Sequence, residues 1–265
     1  MIAEIICVGT ELLLGNILNT NAQYLSRKLA EAGAEVHFQT VVGDNPARIM
    51  DAVRIAFTRA DTIILSGGLG PTKDDMTKEK IAEFFGRKLV MDEAALRNLE
   101  GFMNRMNREA VKKNIRKQAL VPEGSTVLYN HHGTAPGIIL EENGRNCIML
   151  PGPPKELEPM FEEYCMDWIR RRTQCVLVSM NIKLRSMKEA PVSIVGEAAV
   201  EEALGNLVNG VNPTTATYAK EDGCLIRVTA EAADHDEAMR MMAPVVERIK
   251  EIFGEEYIKE LKEDI

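Results

Sequence analysis

The sequence lacks most of what would send a chain out of the cell, into a membrane or onto a nucleic acid. Its five cysteines, Cys7, Cys147, Cys165, Cys175 and Cys224, are odd in number, scattered and without a C-x-x-C pair. Neither a disulfide framework nor a thiolate zinc site is indicated, and reduced thiols in a cytoplasm are expected. Basic charge is also short. Lysine and arginine total 32 against 40 acidic residues, for a formal net charge of -8, which argues against a nucleic-acid partner because displacing counterions from phosphate needs a basic surplus. No run reaches the roughly 18 to 20 apolar residues of a membrane helix, so no membrane partner is expected. The opening "MIAEIICVGTELLLGN" has no basic leader and carries Glu4 and Glu11, unlike a signal peptide. No repeat or low-complexity segment stands out.

What is present is enough for a full core. The 265 residues are 45% apolar, a length that fits one large domain or two ordinary ones, and two are expected. Short β-rich runs alternate with helical patterns through the first two thirds: "AEIICVG" and "NAQYLSRKLAEAG", "AEVHFQTVVG" and "PARIMDAVRIAFTRA", "DTIILSGG" and "TKEKIAEFFG". That alternation predicts an α/β domain of three αβα layers around a mostly parallel sheet over residues 1–172. A long helical region is expected from Asp92 to Lys117, ending in the basic "KKNIRK", then short strands, then a helix from Lys155 to about Arg172. Residues 173–265 read as a smaller α+β domain of βαββα order, with a hairpin around "EDG" and a last helix that Pro244 should kink or break. The methionines of "MRMMAP" are expected in the core.

The chemistry is expected at "SGGLGPTKDDMTKEK", where Ser66 closes a buried-looking strand. A parallel strand delivers its chain to the carboxyl edge of the sheet, the usual ligand edge of open α/β folds. Gly67, Gly68 and Gly70 allow close backbone approach to a ligand, the backbone N-H groups from Gly67 to Gly70 are expected to hold one phosphate, and a helix from about Asp75 would add a positive dipole end. The segment is neither a Walker A loop nor a dinucleotide fingerprint. Asp74 and Asp75 beside a phosphate cradle call for a cation, and Mg²⁺ is commonly held by carboxylate and phosphate oxygens together. Thr72 and Asp75 also have capping-box spacing, which fits a helix cap equally well. Asp44, in "VVGDNP", is a third carboxylate at the same edge, or else a turn or cap residue before Pro46. Lys117 could clamp a second phosphate. Asn19, Asn21, Asn130 and Thr134 could hydrogen-bond a ribose or base, or serve turns. Pro151, Gly152 and Pro153 make a rigid loop, and His131 and His132, being adjacent, make a poor metal pair.

"GGLGPTKDDMT" resembles the molybdopterin-binding fold of the molybdenum cofactor proteins, whose comparable segment reads G-G-T-G followed by Arg-Asp. Leu69 and Asp74 depart from that pattern, and an anion in place of the arginine favours a more metal-dependent site. "VGTELLLGNILNTNAQYLSRKLAEAG", "VVGDN", "NIRKQALVPEGS", "YNHHGTAPG", "MLPGPPKEL" and "NPTTATYAK" together resemble the competence/damage-inducible CinA family across nearly the whole chain. The resemblance implies a molybdopterin-binding-like domain followed by a small KH-like domain. It also implies metal-dependent hydrolysis of the diphosphate of ADP-ribose or a related dinucleotide, with Asp44 and Asp75 as site carboxylates and the Thr10 and Glu11 motif facing the site. Glu11 reads equally as a first-turn helix acid. Many members carry a further nicotinamide-nucleotide amidase domain, for which the sequence has no room, so amidase activity is not expected of it. The alternative is a molybdopterin or nucleotide binder without turnover, or a partner-binding protein in competence. Because no G-x-x-G clamp follows Thr173, RNA binding is disfavoured, and the second domain is expected to form a homodimer or cover the first.

Overall fold

The computed structural model describes residues 1–105, 115–173, 175–185 and 196–264. The chain divides into two compact units, Met1–Leu29 with Ala34–Arg172, and Ala30–Gly33 with Thr173–Ile265.

The first unit is built on a six-stranded sheet of order β2-β1-β3-β8-β7-β6. Its strands are β1 (Ile2–Val8), β2 (Glu35–Val42), β3 (Thr62–Ser66), β6 (Thr126–Leu128), β7 (Gly137–Glu142) and β8 (Arg145–Leu150). β2, β1, β3 and β8 run parallel, and β7 and β6 complete the sheet antiparallel. β3 is buried at every position, as expected of a strand covered on both faces. Around the sheet lie α1 (Thr10–Leu13), α2 (Thr20–Glu31), α3 (Pro46–Ala56), α4 (Thr77–Phe84) and α5 (Glu93–Arg105). α6 (Pro154–Met160) passes through a π-type turn (Phe161–Cys165) into α7 (Met166–Arg170). Ile49 and Val53 of α3 and Ile81 of α4 meet Ile6, Ile63, Leu65 and Met149 of the sheet in one buried cluster.

The helical region expected from Asp92 to Lys117 is described as α5 and, at its far end, as a 3₁₀ turn (Arg116–Ala119) leading into β5 (Leu120–Pro122), which pairs with β4 (Leu89–Met91), while 106–114 lie outside the described residues. Lys112 and Lys113 of its basic cluster lie outside the described residues. α4 starts at Thr77, two residues past the expected start at about Asp75. Thr77 Oγ1 donates to the Gly67 carbonyl at 2.9 Å and its N-H to the Gly68 carbonyl at 3.1 Å, so the first helical turn is pinned there.

The second unit contains a four-stranded antiparallel sheet of order β10-β11-β9-β12, made of β9 (Val176–Arg185), β10 (Thr214–Lys220), β11 (Gly223–Ala232) and β12 (Ile258–Asp264). Its helices are α8 (Glu197–Leu204) and α9 (His235–Phe253), so β12 extends the expected βαββα order by one strand. Pro244 does not break α9. Ala238, Met242, Val246, Ile249 and Phe253 fall on one buried stripe, and burying these side chains outweighs the roughly 3 kcal/mol cost of an interior proline. Met242 is buried, as the core reading of "MRMMAP" expected.

Candidate functional site

Cys7 lies in register with both Val41 and Ser66, and Ser66 with Leu150. The segments that follow β1, β2, β3 and β8 therefore leave the sheet side by side at its carboxyl edge. They carry Thr10 and Glu11, then Asp44, then Gly67–Gly70, then Pro151–Pro153. Because β7 is antiparallel to β8 and begins at Gly137, the preceding loop with Asn130 and Thr134 arrives at that edge too.

The glycine loop owes its shape to two positions that a side chain could not occupy. Gly67 has φ 102° and Gly68 φ 69°. A Cβ on Gly67 would stand 2.3 Å from the Val8 carbonyl, and one on Gly68 2.1 Å from Thr77 Oγ1. The expectation that Gly67 offers its N-H to phosphate is corrected here: that N-H donates to the Leu150 carbonyl at 3.0 Å and ties the loop to β8. Thr77 takes up the Gly67 and Gly68 carbonyls, and Gln118 Nε2 donates to the Leu69 carbonyl at 3.4 Å. In a trans peptide the C=O and the next N-H point opposite ways. The N-H groups of Gly68, Leu69 and Gly70 are therefore directed away from α4 and Gln118, as in an anion-binding nest.

Asp75 sits against this nest, since a Cβ on Gly70 would fall 2.4 Å from its Oδ2. Oδ2 accepts the Thr72 N-H at 2.9 Å and the Thr72 hydroxyl. The Thr72–Asp75 pair thus closes a turn, with α4 beginning beyond it. Asp74 is exposed, and its carboxyl is held below the usual range by the Thr72 hydroxyl, for whose single proton it competes with Asp75, by its own backbone N-H and by the nearby Lys117 charge. Lys117 does not extend outward. Its Nζ donates to the carbonyls of Thr72 at 3.0 Å and Asp75 at 2.5 Å and pairs with Glu79 at 3.3 Å, fastening the turn to α4.

Asp44 is not a helix cap. Asn45 caps α3, accepting from the N-H groups of Ala47 and Arg48, while Asp44 Oδ2 accepts the N-H and hydroxyl of Thr10, each at 2.8 Å. Asp44 is thereby drawn toward the end of β1. The three candidate metal carboxylates Asp44, Asp74 and Asp75 do not gather: among the described residues no group of three or more His, Cys, Asp and Glu is placed to hold an ion. The reason is topological, because β1 stands between β2 and β3 and separates their lines by about 10 Å.

Asn21 and the proline loop form the other side. Asn21 Nδ2 donates to Ser66 Oγ at 2.8 Å and to the Gly152 carbonyl at 2.7 Å, so α2, β3 and the "PGPP" loop are tied at one point. Its Oδ1 is buried without a hydrogen-bond partner among the described residues. Asn19 serves the start of α2, its Oδ1 accepting the Ala22 N-H at 3.2 Å. Glu11 folds back over Gly9, where a Cβ would lie 2.7 Å from Oε1. These residues border a cleft of ≈ 300 Å³ that also includes Leu12, Ile17, Leu18, Pro153 and Pro154. Asn130 is engaged in its own loop: Nδ2 donates to the Ala135 carbonyl and to Glu156 Oε2, and Oδ1 accepts the His132 N-H. Thr134 contributes a backbone hydrogen bond to Glu156. Neither of these two is brought into the cleft that Asn21 lines.

Two residues escaped the sequence reading. Burial raises the Glu156 carboxyl pKa, although Asn130, Lys155 and His132 oppose the rise. Lys78, in the first turn of α4, is 2% exposed, and its amine donates to the Lys117 carbonyl. Burial lowers its pKa to about 8, with the neighbouring Glu79 and Asp75 opposing and Lys117 assisting. The signal was its position: Lys78 precedes buried Ile81 and Ala82 by three and four residues and shares their face.

A family model described as a probable molybdopterin binding domain matches residues 4–171, and one described as the damage-inducible protein CinA KH domain matches residues 192–258. A putative competence-damage inducible protein from Clostridium beijerinckii is 44% identical over 256 residues, 96% of this chain and 60% of that protein. A CinA-like protein from Dictyoglomus turgidum is 48% identical over the same shares. The chain thus spans about 60% of the length of these curated relatives. The crystal structure of the protein CinA with unknown function from Thermoplasma acidophilum is similar with a TM-score of 0.57 and 37% identity, covering 63% of this chain and 96% of that one.

Proposed function

The chain belongs to the CinA family, and from that premise we propose that it hydrolyses the diphosphate link of ADP-ribose or a related dinucleotide with the help of a divalent cation. The observation that carries this reading is the glycine loop, whose Gly67, Gly68 and Leu69 carbonyls are held by Thr77 and Gln118 so that the N-H groups of Gly68, Leu69 and Gly70 lie on the other side of their peptides, with the Asp75 carboxylate against Gly70. Such a nest suits a phosphate, and a carboxylate beside a phosphate suits a cation. Asp44 and Asp75 lie on strand lines about 10 Å apart and do not share one ion, so a cation would arrive with substrate on the Asp75 carboxylate alone, with phosphate and water completing its shell. When bound, the cation supplies charge neutralisation and a more acidic water.

The chain's own residues do the rest. The nest holds one phosphate and Lys117 fixes the turn that presents Asp75, while the Thr10 hydrogen bonds hold Asp44 toward the end of β1. Water adds to one phosphorus as the bridging oxygen leaves with the other phosphate, a displacement that depends mainly on positioning and charge stabilisation. A second reading, binding of a molybdopterin or nucleotide without turnover, draws on the description of the matching first-domain model. Incubating the pure chain with ADP-ribose, with and without Mg²⁺, separates the two. AMP and ribose 5-phosphate should appear only with the metal, and Asp75→Asn should keep the fold, because Asn can still accept from Thr72, while losing most turnover. Full turnover in excess chelator, or in Asp75→Asn, would remove this mechanism.

A further inference from the structure

An open strand edge invites pairing with another chain, and proteins blunt such edges with charged side chains, prolines, bulges, short strands or a covering group. Most edges among the described residues carry one of these. β4, β5 and β6 are three residues long. β12, at one edge of the second sheet, reads Ile-Lys-Glu-Leu-Lys-Glu-Asp, and on β10, at the other, the Ala219 N-H is taken by the Glu197 carboxylate at 3.1 Å. β2, which ends the first sheet, differs. From Phe38 to Val42 it has no charged residue and no proline, and its extra residue, His37, falls earlier, between the partners of Ala3 and Glu4.

The ladder fixes which groups of β2 are open. The Val42 carbonyl accepts the Gly9 N-H at 2.9 Å, so Val42 faces β1, and by alternation along the strand so do Thr40 and Phe38. Gln39 and Val41 therefore direct their N-H and C=O groups away from β1, where these groups have no partner among the described residues. Apolar side chains line the same edge. Phe38 remains 44% exposed although the Arg59 guanidinium lies 3.7 Å over its ring, and Val41 is 36% exposed. Just past the end of the strand, Leu13 is 54% exposed, its Cδ1 3.3 Å from where a Cβ on Gly43 would stand.

We propose that β2 pairs antiparallel with β2 of a second copy of this chain, about a two-fold axis at Thr40. Symmetry argues for that occupant. The two outward residues flank Thr40 evenly, so the axis sets Gln39 opposite Val41 of the second copy and Val41 opposite its Gln39. Each pair exchanges two N-H to C=O bonds, and together they use every outward group of both edges between Phe38 and Val42. Phe38 then stands opposite Val42 of the second copy. Because this stretch is uncharged, self-pairing sets no like charges against each other. The contact is isologous, as closed dimers require, and joins two six-stranded sheets into one.

Sedimentation velocity of the whole chain over a range of concentrations tests this, and the parent should pass from monomer to dimer. Val41→Lys places two ammonium groups across the axis within about a Debye length of ~10 Å and should weaken the dimer at least about tenfold. Thr40→Cys tests the register without relying on affinity. On the axis, Thr40 forms a non-hydrogen-bonded pair with its copy, whose Cα atoms stand about 4.5 Å apart, within disulfide reach. Mild oxidation should therefore link Thr40→Cys into a covalent dimer beyond any that the parent gives. A parent that stays monomeric overturns the proposal and leaves the edge to a strand of another protein. A dimer that Val41→Lys leaves unchanged overturns it too, and assigns association to another surface. So does failure of Thr40→Cys to link, which alone decides the matter if Val41→Lys does not fold.

Discussion

Replacing Lys78 by methionine should make the protein more stable at neutral pH, and less so as the pH rises. Lys78 is 2% exposed and its amine pKa is lowered from 10.5 to about 8. A lysine whose folded pKa lies below its unfolded one binds its proton less well when folded, so it destabilises the fold at every pH below about 8. That penalty fades between about 8 and 10.5, where the unfolded chain carries the extra proton and stability rises with pH. At about 1.36 kcal/mol per pH unit, the gap between about 8 and 10.5 costs about 3 kcal/mol near pH 7 and under about 1 kcal/mol by pH 10. Methionine removes the penalty, but it also strips the Lys117 carbonyl of its donor, a loss of about 1 to 2 kcal/mol that does not depend on pH. The expected net effect is a gain of about 1 to 2 kcal/mol at pH 7 that becomes a loss near pH 10. Urea unfolding of parent and variant at pH 7, 8.5 and 10 measures it, and subtracting the two curves cancels every other titrating group. A difference that stays flat with pH, or a variant weaker at pH 7 than at pH 10, would refute a protonated amine held in a poorly solvated site.

Gly68→Ala should cost about 2 to 4 kcal/mol in the same assay, since alanine would be strained at φ 69° and its methyl would displace the Thr77 hydroxyl from the Gly67 carbonyl; an unchanged midpoint would show that the loop is not so constrained. Glu4 is buried in β1 and accepts two hydrogen bonds from Arg59 at 2.8 Å and one from Thr40 at 2.7 Å. Glu4→Ala should cost about 3 kcal/mol by leaving Arg59 without its partner. Burial raises the Glu4 pKa, but these bonds outweigh it and lower the pKa below 4.5, so this stabilisation is present above about 4.5 and is lost as pH falls through the folded value; the variant's stability should therefore fall less on acidification. Lys117→Ala should lower kcat/KM for ADP-ribose about tenfold and speed amide exchange at Leu69 and Gly70 by freeing the turn it fastens. A change in KM alone, with exchange unaltered, would instead return Lys117 to direct contact with phosphate.

The alternation of β-rich and helical runs was enough to predict a layered α/β unit, because period and turn chemistry are local properties that a chain carries in its own order. The same holds for Gly67 and Gly68, whose neighbours in sequence already announced a strand ending in a tight loop. Local patterning could not say that Gly67's N-H would be taken by Leu150, 83 positions away, or that Lys117 would turn back onto Thr72 and Asp75. Nor could it choose between Asp44 and Asn45 as the cap of α3, since both precede Pro46 and either side chain can accept a helix N-H. Tertiary structure decided that by bringing Thr10 across from β1 to take Asp44. Sequence placed three carboxylates near one edge, but whether they share an ion depends on strand order, and β1 lies between β2 and β3. Which hydrogen bonds remain for a ligand is settled only when distant segments meet, because a polar group in a folded chain takes the partner that burial brings within about 3 Å.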